Sequence, residues 1–379
     1  MIYFDNAATT KVSPEAVEAV LSAMTEGYGN PSSSHALGRQ AREIINSARK
    51  SVAAAIGAGP ETLYFTSGGT EADNIAVLSA AESMKRRGKH ILTTAIEHDA
   101  VLKPMAELER QGFEVDYIRP DKNGNISADE FENALRDDTV LVSAMLVNNE
   151  VGSVLPVPEI SKMLKRRKSQ ALLHTDAVQG FLKIPFTVKS LGADIITLSA
   201  HKIHGPKGVG AIYVASGLRL TARSFGGGQE SGLRPGTESV PLIAGFGAAV
   251  KSGLASRERD IAEMSEIRDY IRTQLRSRLP EAVIIGSAAA PHILCVSLPG
   301  YKSEVLLNWL DAKGILVSKG SACKKGRRSH VLVAMGLSDS VIDGALRISL
   351  SAESTMDEAE TFVSAFVQAK NEIYGVLGK

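Results

Sequence analysis

Cysteine is scarce: 379 residues contain two, Cys295 and Cys323. That excludes a disulfide-stapled scaffold and a zinc site built from several thiolates. An excess of one charge is also lacking. Lys and Arg number 43 against 42 Asp and Glu, a formal net charge of +1. No global field therefore draws nucleic acid or an anionic membrane, and neither is expected as a direct partner. No apolar run approaches the ~18 residues of a spanning helix. The opening MIYFDNAATT lacks the basic start and apolar core of a secretory leader. A cytoplasmic, reducing setting is expected, where a cysteine is packed or reactive rather than bridged.

What is present is alternation. Helical periodicity at 35–56, 70–87, 98–110 and 127–135 is interleaved with short apolar strands at 63–66, 90–94, 114–118, 172–175, 195–198 and 211–214. The continuous apolar run 140–147 suits a strand buried on both faces. Such alternation predicts an α/β fold, a mostly parallel sheet with helices on both sides. Ligand sites in that architecture gather at the carboxyl ends of strands. Residues 67–70, 148–150, 176–179 and 199–202 fall there. A long helix begins near Val240, and its charges over 251–278 read as a solvated face linking two lobes. A smaller α+β unit follows, with strands at 283–285 and 293–298 and helices at 303–313 and 356–377. The expected division is a large domain over 15–255 and a small domain of 1–14 with 256–379, carrying the Cys323 loop.

Four segments carry chemistry. Lys202 follows a strand inside Ser199-Ala200-His201-Lys202, ahead of a Gly-Pro turn, a poor place for a solvated charge. Partial burial depresses a lysine's pKa, as a Schiff-base lysine requires, and hydroxyl and imidazole donors beside it can hold a phosphate. The plainer reading is a structural strand-end lysine. Asp176 ends a strand, where a carboxylate can pair with a pyridinium nitrogen or simply cap a helix. Ser67-Gly68-Gly69-Thr70 joins a strand to a helix start whose free N–H groups make an anion cup, or a purely structural turn. Cys323 sits in the small, polar Ser318-Lys319-Gly320-Ser321-Ala322-Cys323, and Lys324, Lys325, Arg327 and Arg328 after it favour a thiolate. Cys295, between Leu294 and Val296, reads as packing. The four cations also suggest a rim that steers an acidic partner, or a solvated cluster that only keeps the loop open.

These segments occur in order with Tyr3-Phe4-Asp5-Asn6-Ala7-Ala8, Gly29-Asn30-Pro31-Ser32-Ser33-Ser34-His35, Glu97-His98, Asn148-Asn149-Glu150, Gly226 to Thr237, and Arg347. Together they resemble the cysteine desulfurases of the NifS/IscS type, pyridoxal 5'-phosphate (PLP) enzymes with the aspartate-aminotransferase-like fold. The resemblance runs almost end to end. It implies that Lys202 carries PLP and later moves the substrate Cα proton. It makes Asp176 the partner of the pyridinium and sets Gln179 and Asn149 around the phenolic oxygen. His98 becomes the ring-stacking imidazole and proton shuttle, and Gly69, Thr70, Ser199 and His201 the phosphate ligands. Thr237 would be a phosphate ligand lent by the neighbouring subunit of a homodimer. Arg347, with Asn149 beside it, would hold the substrate carboxylate through its guanidinium fork. No metal is implied.

The resemblance further implies that Cys323 attacks the sulfur of L-cysteine, leaving L-alanine and a persulfide for an acceptor protein. That acceptor is open between an iron–sulfur scaffold and a tRNA-thiolation enzyme. A selenocysteine lyase or aminotransferase of the same fold would not need the thiol. A non-catalytic relay protein would not need Lys202 or Asp176. Two departures stand out: the stretch from Cys323 to Ser329 is shorter and more basic than in the family, and Ser231 and Pro235 replace an Arg and a Ser.

Overall fold

Seven short apolar strands build the central sheet: β1 (Leu63–Thr66), β2 (His90–Thr94), β3 (Glu114–Ile118), β4 (Thr139–Ser143), β5 (Leu172–Asp176), β6 (Ile195–Ser199) and β7 (Gly210–Val214). The structure is a computed structural model that describes residues 1–319 and 328–377. The strands lie in the order β1-β7-β6-β5-β4-β2-β3. The five from β6 to β3 run parallel, whereas β7 is antiparallel to both β1 and β6. Every residue of β2, β4, β6 and β7 is buried. Helices cover both faces, which is why these strands read as unbroken apolar runs.

One expected strand needs correction. The 140–147 run pairs as a strand only over Thr139–Ser143. Beyond it, Leu146 N donates to Asp176 O and Leu155 N to Leu146 O, so the chain turns into a tight loop. Ala144 to Val147 are nonetheless fully enclosed; the apolar run reported burial, not pairing. Three helix starts also sit one residue later than the pattern predicts. His35, His98 and Ser127 are N-caps, each accepting from a backbone N–H of the first turn.

A second, antiparallel sheet places β9 (Ile293–Ser297) between β8 (Val283–Ile285) and β10 (Ala345–Ser349). The 39-residue helix Val240–Arg278 serves both regions. Ile243, Phe246 and Val250 enter the core around the large sheet, and Met264, Ile267, Ile271 and Leu275 enter the core around the small one. Its charged half is therefore more than a solvated face. Arg268 Nη1 donates to Ala290 O at 2.9 Å, and Arg278 pairs with Glu360 at 2.8 Å. The N-terminal segment joins the two cores. Ile2–Tyr3 pairs with Ile315–Leu316, Phe4 lies in the second core and Ala7 in the first. Among the described residues no helix is long and apolar enough to cross a membrane.

Phe246 shows how the first core is held. It is fully buried, with edge contacts to Phe65 at 6.3 Å and Phe181 at 6.4 Å between centroids. Phe246→Ala leaves a cavity against a sheet that cannot collapse into it. It should cost about 3–5 kcal/mol, the usual range for a buried aromatic, read from urea unfolding. Val17→Ala, on an exposed helix face, should change stability by less than about 0.5 kcal/mol.

Candidate active site

The carboxyl ends of β5 and β6 set the centre of a cavity of about 380 Å³. After β6 a single 3₁₀ turn, Ala200–Lys202, points Lys202 back across the sheet end. Its Nζ donates to the carbonyls of Ala7 at 2.6 Å and Ala8 at 2.7 Å. At the end of β5, Asp176 Oδ1 accepts from Val178 N at 2.9 Å, so the capping reading holds, yet the same carboxylate lines the cavity. Burial raises its pKa, while the Val178 N–H and the charges of His98 and Lys202 pull it down. A cation bound in the cavity would reinforce that pull.

The wall opposite comes from the helix Gly69–Met84. Its N-cap is Gly68, without a side chain to satisfy the first N–H groups. A Cβ at Gly69 would stand 2.9 Å from Val178 Cγ2, so the approach of this helix to the β5 loop requires glycine. Ser199 Oγ, buried and lining the same cavity, has no hydrogen-bond partner among the described residues. His201 also lines it. Burial and then Lys202, Lys207 and Lys183 push its pKa down to about 4, so its ring is neutral at pH 7. An uncapped helix start, an unpaired hydroxyl and a neutral imidazole are a donor set for a phosphate.

His98 is both an N-cap, through Nδ1 at 3.1 Å from Ala100 N, and a cavity residue. Arg347 is no surface arginine. It is 2% exposed on β10, donating from Nη1 to Asn149 O at 2.9 Å and from Nη2 to Asp5 Oδ1 at 2.7 Å. The cavity thus brings together Gly69, Thr70, His98, Asn149, Asp176, Gln179, Ser199, His201, Lys202 and Arg347. Thr237 is exposed and does not line it. Cys323, Lys324, Lys325 and Arg327 lie outside the described residues. Arg328 corrects the expectation of a four-cation rim. It is held by Asp343 at 2.9 Å and Asp339 at 2.6 Å, so its charge is already matched within the chain. Cys295 is buried on β9 and burial raises its thiol pKa, so it stays protonated.

Several buried groups were not singled out from sequence. Asp73 faces the cavity from the first turns of the Gly69–Met84 helix, its pKa raised well above the ordinary value by burial and by Asp176. Burial pushes Glu97 up to about 8 although Thr94 Oγ1 and Met145 N donate to it at 2.7 and 2.8 Å. Ser329 Oγ donates to Glu150 at 2.5 Å, and His330 Nε2 to Glu97 O at 2.9 Å. Both residues bring the chain back to the cavity after Cys323. An acid inside an apolar helical stretch, as Asp73 is among Ala72, Ile75 and Ala76, was the available signal.

The parallel sheet, the lysine after β6 and the aspartate ending β5 define an α/β enzyme whose site is arranged as in PLP-dependent transferases. Comparison with known proteins narrows this. The family model for class-V aminotransferases matches residues 2–362. A cysteine desulfurase IscS of Methanosarcina thermophila is 43% identical over 95% of this chain and 89% of its own length. Among solved structures, a NifS-like protein superposes with a TM-score of 0.92 and 37% identity, over 98% of this chain and 99% of its own. A structure described as SspA in complex with cysteine has a TM-score of 0.81 and 32% identity, covering 94% and 100%. The chain belongs to the class-V aminotransferase family, within its cysteine desulfurases of the NifS/IscS type.

Lys183 generates a prediction from the buried charges. Its Nζ is buried without a hydrogen-bond partner among the described residues. Burial, then Lys202 and Arg347, lower its pKa from the ordinary 10.5 to about 7. As pH falls through 10.5 the unfolded chain takes up a proton that the folded protein refuses until about 7. Stability is lost across that window and is level below it. Lys183→Met removes the loss. Its melting temperature relative to wild type should therefore rise as pH is lowered from 10 to 7 and stay constant from 7 to 6. A difference independent of pH would show that the lysine is solvated.

Proposed function

We propose that this cavity binds PLP and takes L-cysteine, whose sulfur passes to Cys323 while L-alanine leaves. The observation that carries this is the convergence of Lys202, Asp176 and Arg347 on one enclosed space. The donor set fits the cofactor. Gly69, Thr70, Ser199 and His201 would hold its phosphate, Asp176 its pyridinium nitrogen, and Gln179 and Asn149 its phenolic oxygen. When bound, PLP supplies an electron sink conjugated to the substrate nitrogen.

The chain's own residues do the rest. Arg347, already aimed by Asp5 and Asn149 O, orients the substrate carboxylate. Lys202, its Nζ held by the carbonyls of Ala7 and Ala8, would take the Cα proton, and His98 would shuttle protons. Cys323 Sγ, as thiolate, attacks the substrate sulfur. One S–S bond forms, the Cβ–S bond breaks, and Cβ gains a proton to give alanine, so no external oxidant is needed. Thr237 is exposed, as are Gly226, Gly227 and Gly228 and the preceding Phe225, itself 94% exposed. That exposure supports a homodimer in which Thr237 completes the neighbouring site. The long helix sends Ile243, Phe246 and Val250 into one core and Met264, Ile267, Ile271 and Leu275 into another, which supports two domains. The persulfide would go to an acceptor protein, an iron–sulfur scaffold or a tRNA-thiolation enzyme, in the cytoplasm.

The test is to load the protein with PLP, add L-cysteine, and follow alanine and protein-bound persulfide by mass spectrometry. Lys202→Ala should abolish turnover. Borohydride reduction of the wild type should place the pyridoxyl group on Lys202, and labelling of Lys207 instead would refute the assignment. Cys323→Ala should retain the visible spectrum and its response to L-cysteine yet form no persulfide. Persulfide on Cys295 in the wild type would overturn the division between the two thiols.

A further inference from the structure

Behind Gln179 lies a polar group that the sulfur chemistry does not use. Gln179 Nε2 donates to Ala7 O at 2.9 Å, the same carbonyl that accepts from Lys202 Nζ. That bond decides which end of the amide is oxygen. Oε1 then faces His292, 3.4 Å from its Nε2. An amide oxygen only accepts, so Nε2 of His292 carries the hydrogen. The imidazole is fully enclosed, and its Nδ1, like Lys183 Nζ, has no hydrogen-bond partner among the described residues. Burial, then the charges of Lys183, Arg347 and Arg268, hold its pKa well below the ordinary value. The ring is thus neutral, with a single N–H to give. His292 immediately precedes β9, and its carbonyl accepts from Leu350 N at 2.9 Å. Its side chain therefore reaches Gln179 from the second sheet.

We infer that His292 is a positioning residue whose Nε2–H locks the amide of Gln179, so that the second Nε2 hydrogen of Gln179 faces the cavity beside Lys202. This rests on the PLP reading of the cavity. Without that lock the bond to Ala7 O alone opposes rotation of the amide, which can then turn its oxygen toward the place where the cofactor's phenolic oxygen is read to lie. A donor that favours the ionised oxygen would then become an acceptor that opposes it.

The test uses the PLP-loaded protein without substrate and reads the pH midpoint of its visible absorption band and its PLP dissociation constant. His292→Leu should raise the midpoint by about one pH unit, a tenfold change in the protonation equilibrium, and weaken PLP binding. His292→Gln, whose amide N–H can replace Nε2–H, should keep both near wild type. In a Gln179→Leu background the His292→Leu change should move the midpoint no further. A purely structural role would lower the melting temperature and leave the midpoint in place. An unmoved midpoint in folded His292→Leu, or an equal shift in the Gln179→Leu background, overturns the inference. Should His292→Leu not fold, ¹⁵N NMR of histidine-labelled wild type decides: an Nε2–H tautomer is expected, and Nδ1–H or imidazolium overturns it. A wild type with no visible band after PLP loading would instead refute the cofactor reading, while the tautomer still reports on the lock.

Discussion

A carbonyl oxygen can accept two hydrogen bonds, and that of Ala7 accepts one from Lys202 and one from Gln179. The segment that presents it is bound on every side. Ile2 pairs with Ile315, Asn6 N donates to Ser349 O at 3.2 Å, and Ala7 N donates to Ser349 Oγ at 2.9 Å. Thr10 N then donates to His201 O at 2.9 Å. One strap of about ten residues, turned at Asn6 to Ala8 and with each residue fixed at the cost of ~1–2 kcal/mol in backbone entropy, thus ties the small sheet to the turn that bears Lys202. The lysine's position depends on both cores being formed, because the strap is anchored in both.

The same arrangement governs charge. Lys202, Lys183, Arg347 and the acids Asp73, Glu97, Glu150 and Asp176 crowd a largely dry region, where an unmatched charge is costly. Burial answers by neutralising some of them: Glu97 is raised to about 8, Lys183 lowered to about 7, and His174 to about 3. Asp176 is the acid whose anionic form receives both a backbone N–H and the attraction of Lys202 and His98. It is therefore the carboxylate best prepared to face a cation in the cavity. The arrangement is a matched set rather than a collection of independent side chains.

Much of this was legible in the sequence, for a definable reason. Strands β1, β2, β3 and β8 begin and end where the runs in the sequence pattern set them, whether buried throughout like β2 or, like β3 and β8, only partly covered. The site residues stood out because they follow those runs. Where burial and pairing part company, the pattern misled, as in Ala144 to Val147. The polar groups packed behind the cavity gave no local signal. His292 lies over a hundred residues from Gln179, and their contact exists only because β9 packs beside the large sheet. Arg328 looked available for a partner because Asp339 and Asp343, which hold it, follow a helix and a turn later.

The placement of the two arginine contacts gives the seam a direction. Arg347 belongs to β10, yet its guanidinium is held by Asp5 on the strap and by the carbonyl of Asn149 in the loop after β4. A carboxylate arriving there would meet a fork already oriented, with little side-chain entropy left to lose on binding. Asp5 also offsets part of the arginine's charge, which keeps a desolvated guanidinium tolerable before the substrate arrives. Arg347 and Lys202 are then joined by only two residues of strap, from Asp5 to Ala7. Any displacement of the small sheet moves both together. The distance between Arg347 and Lys202 is consequently a property of the strap, and not of either sheet alone.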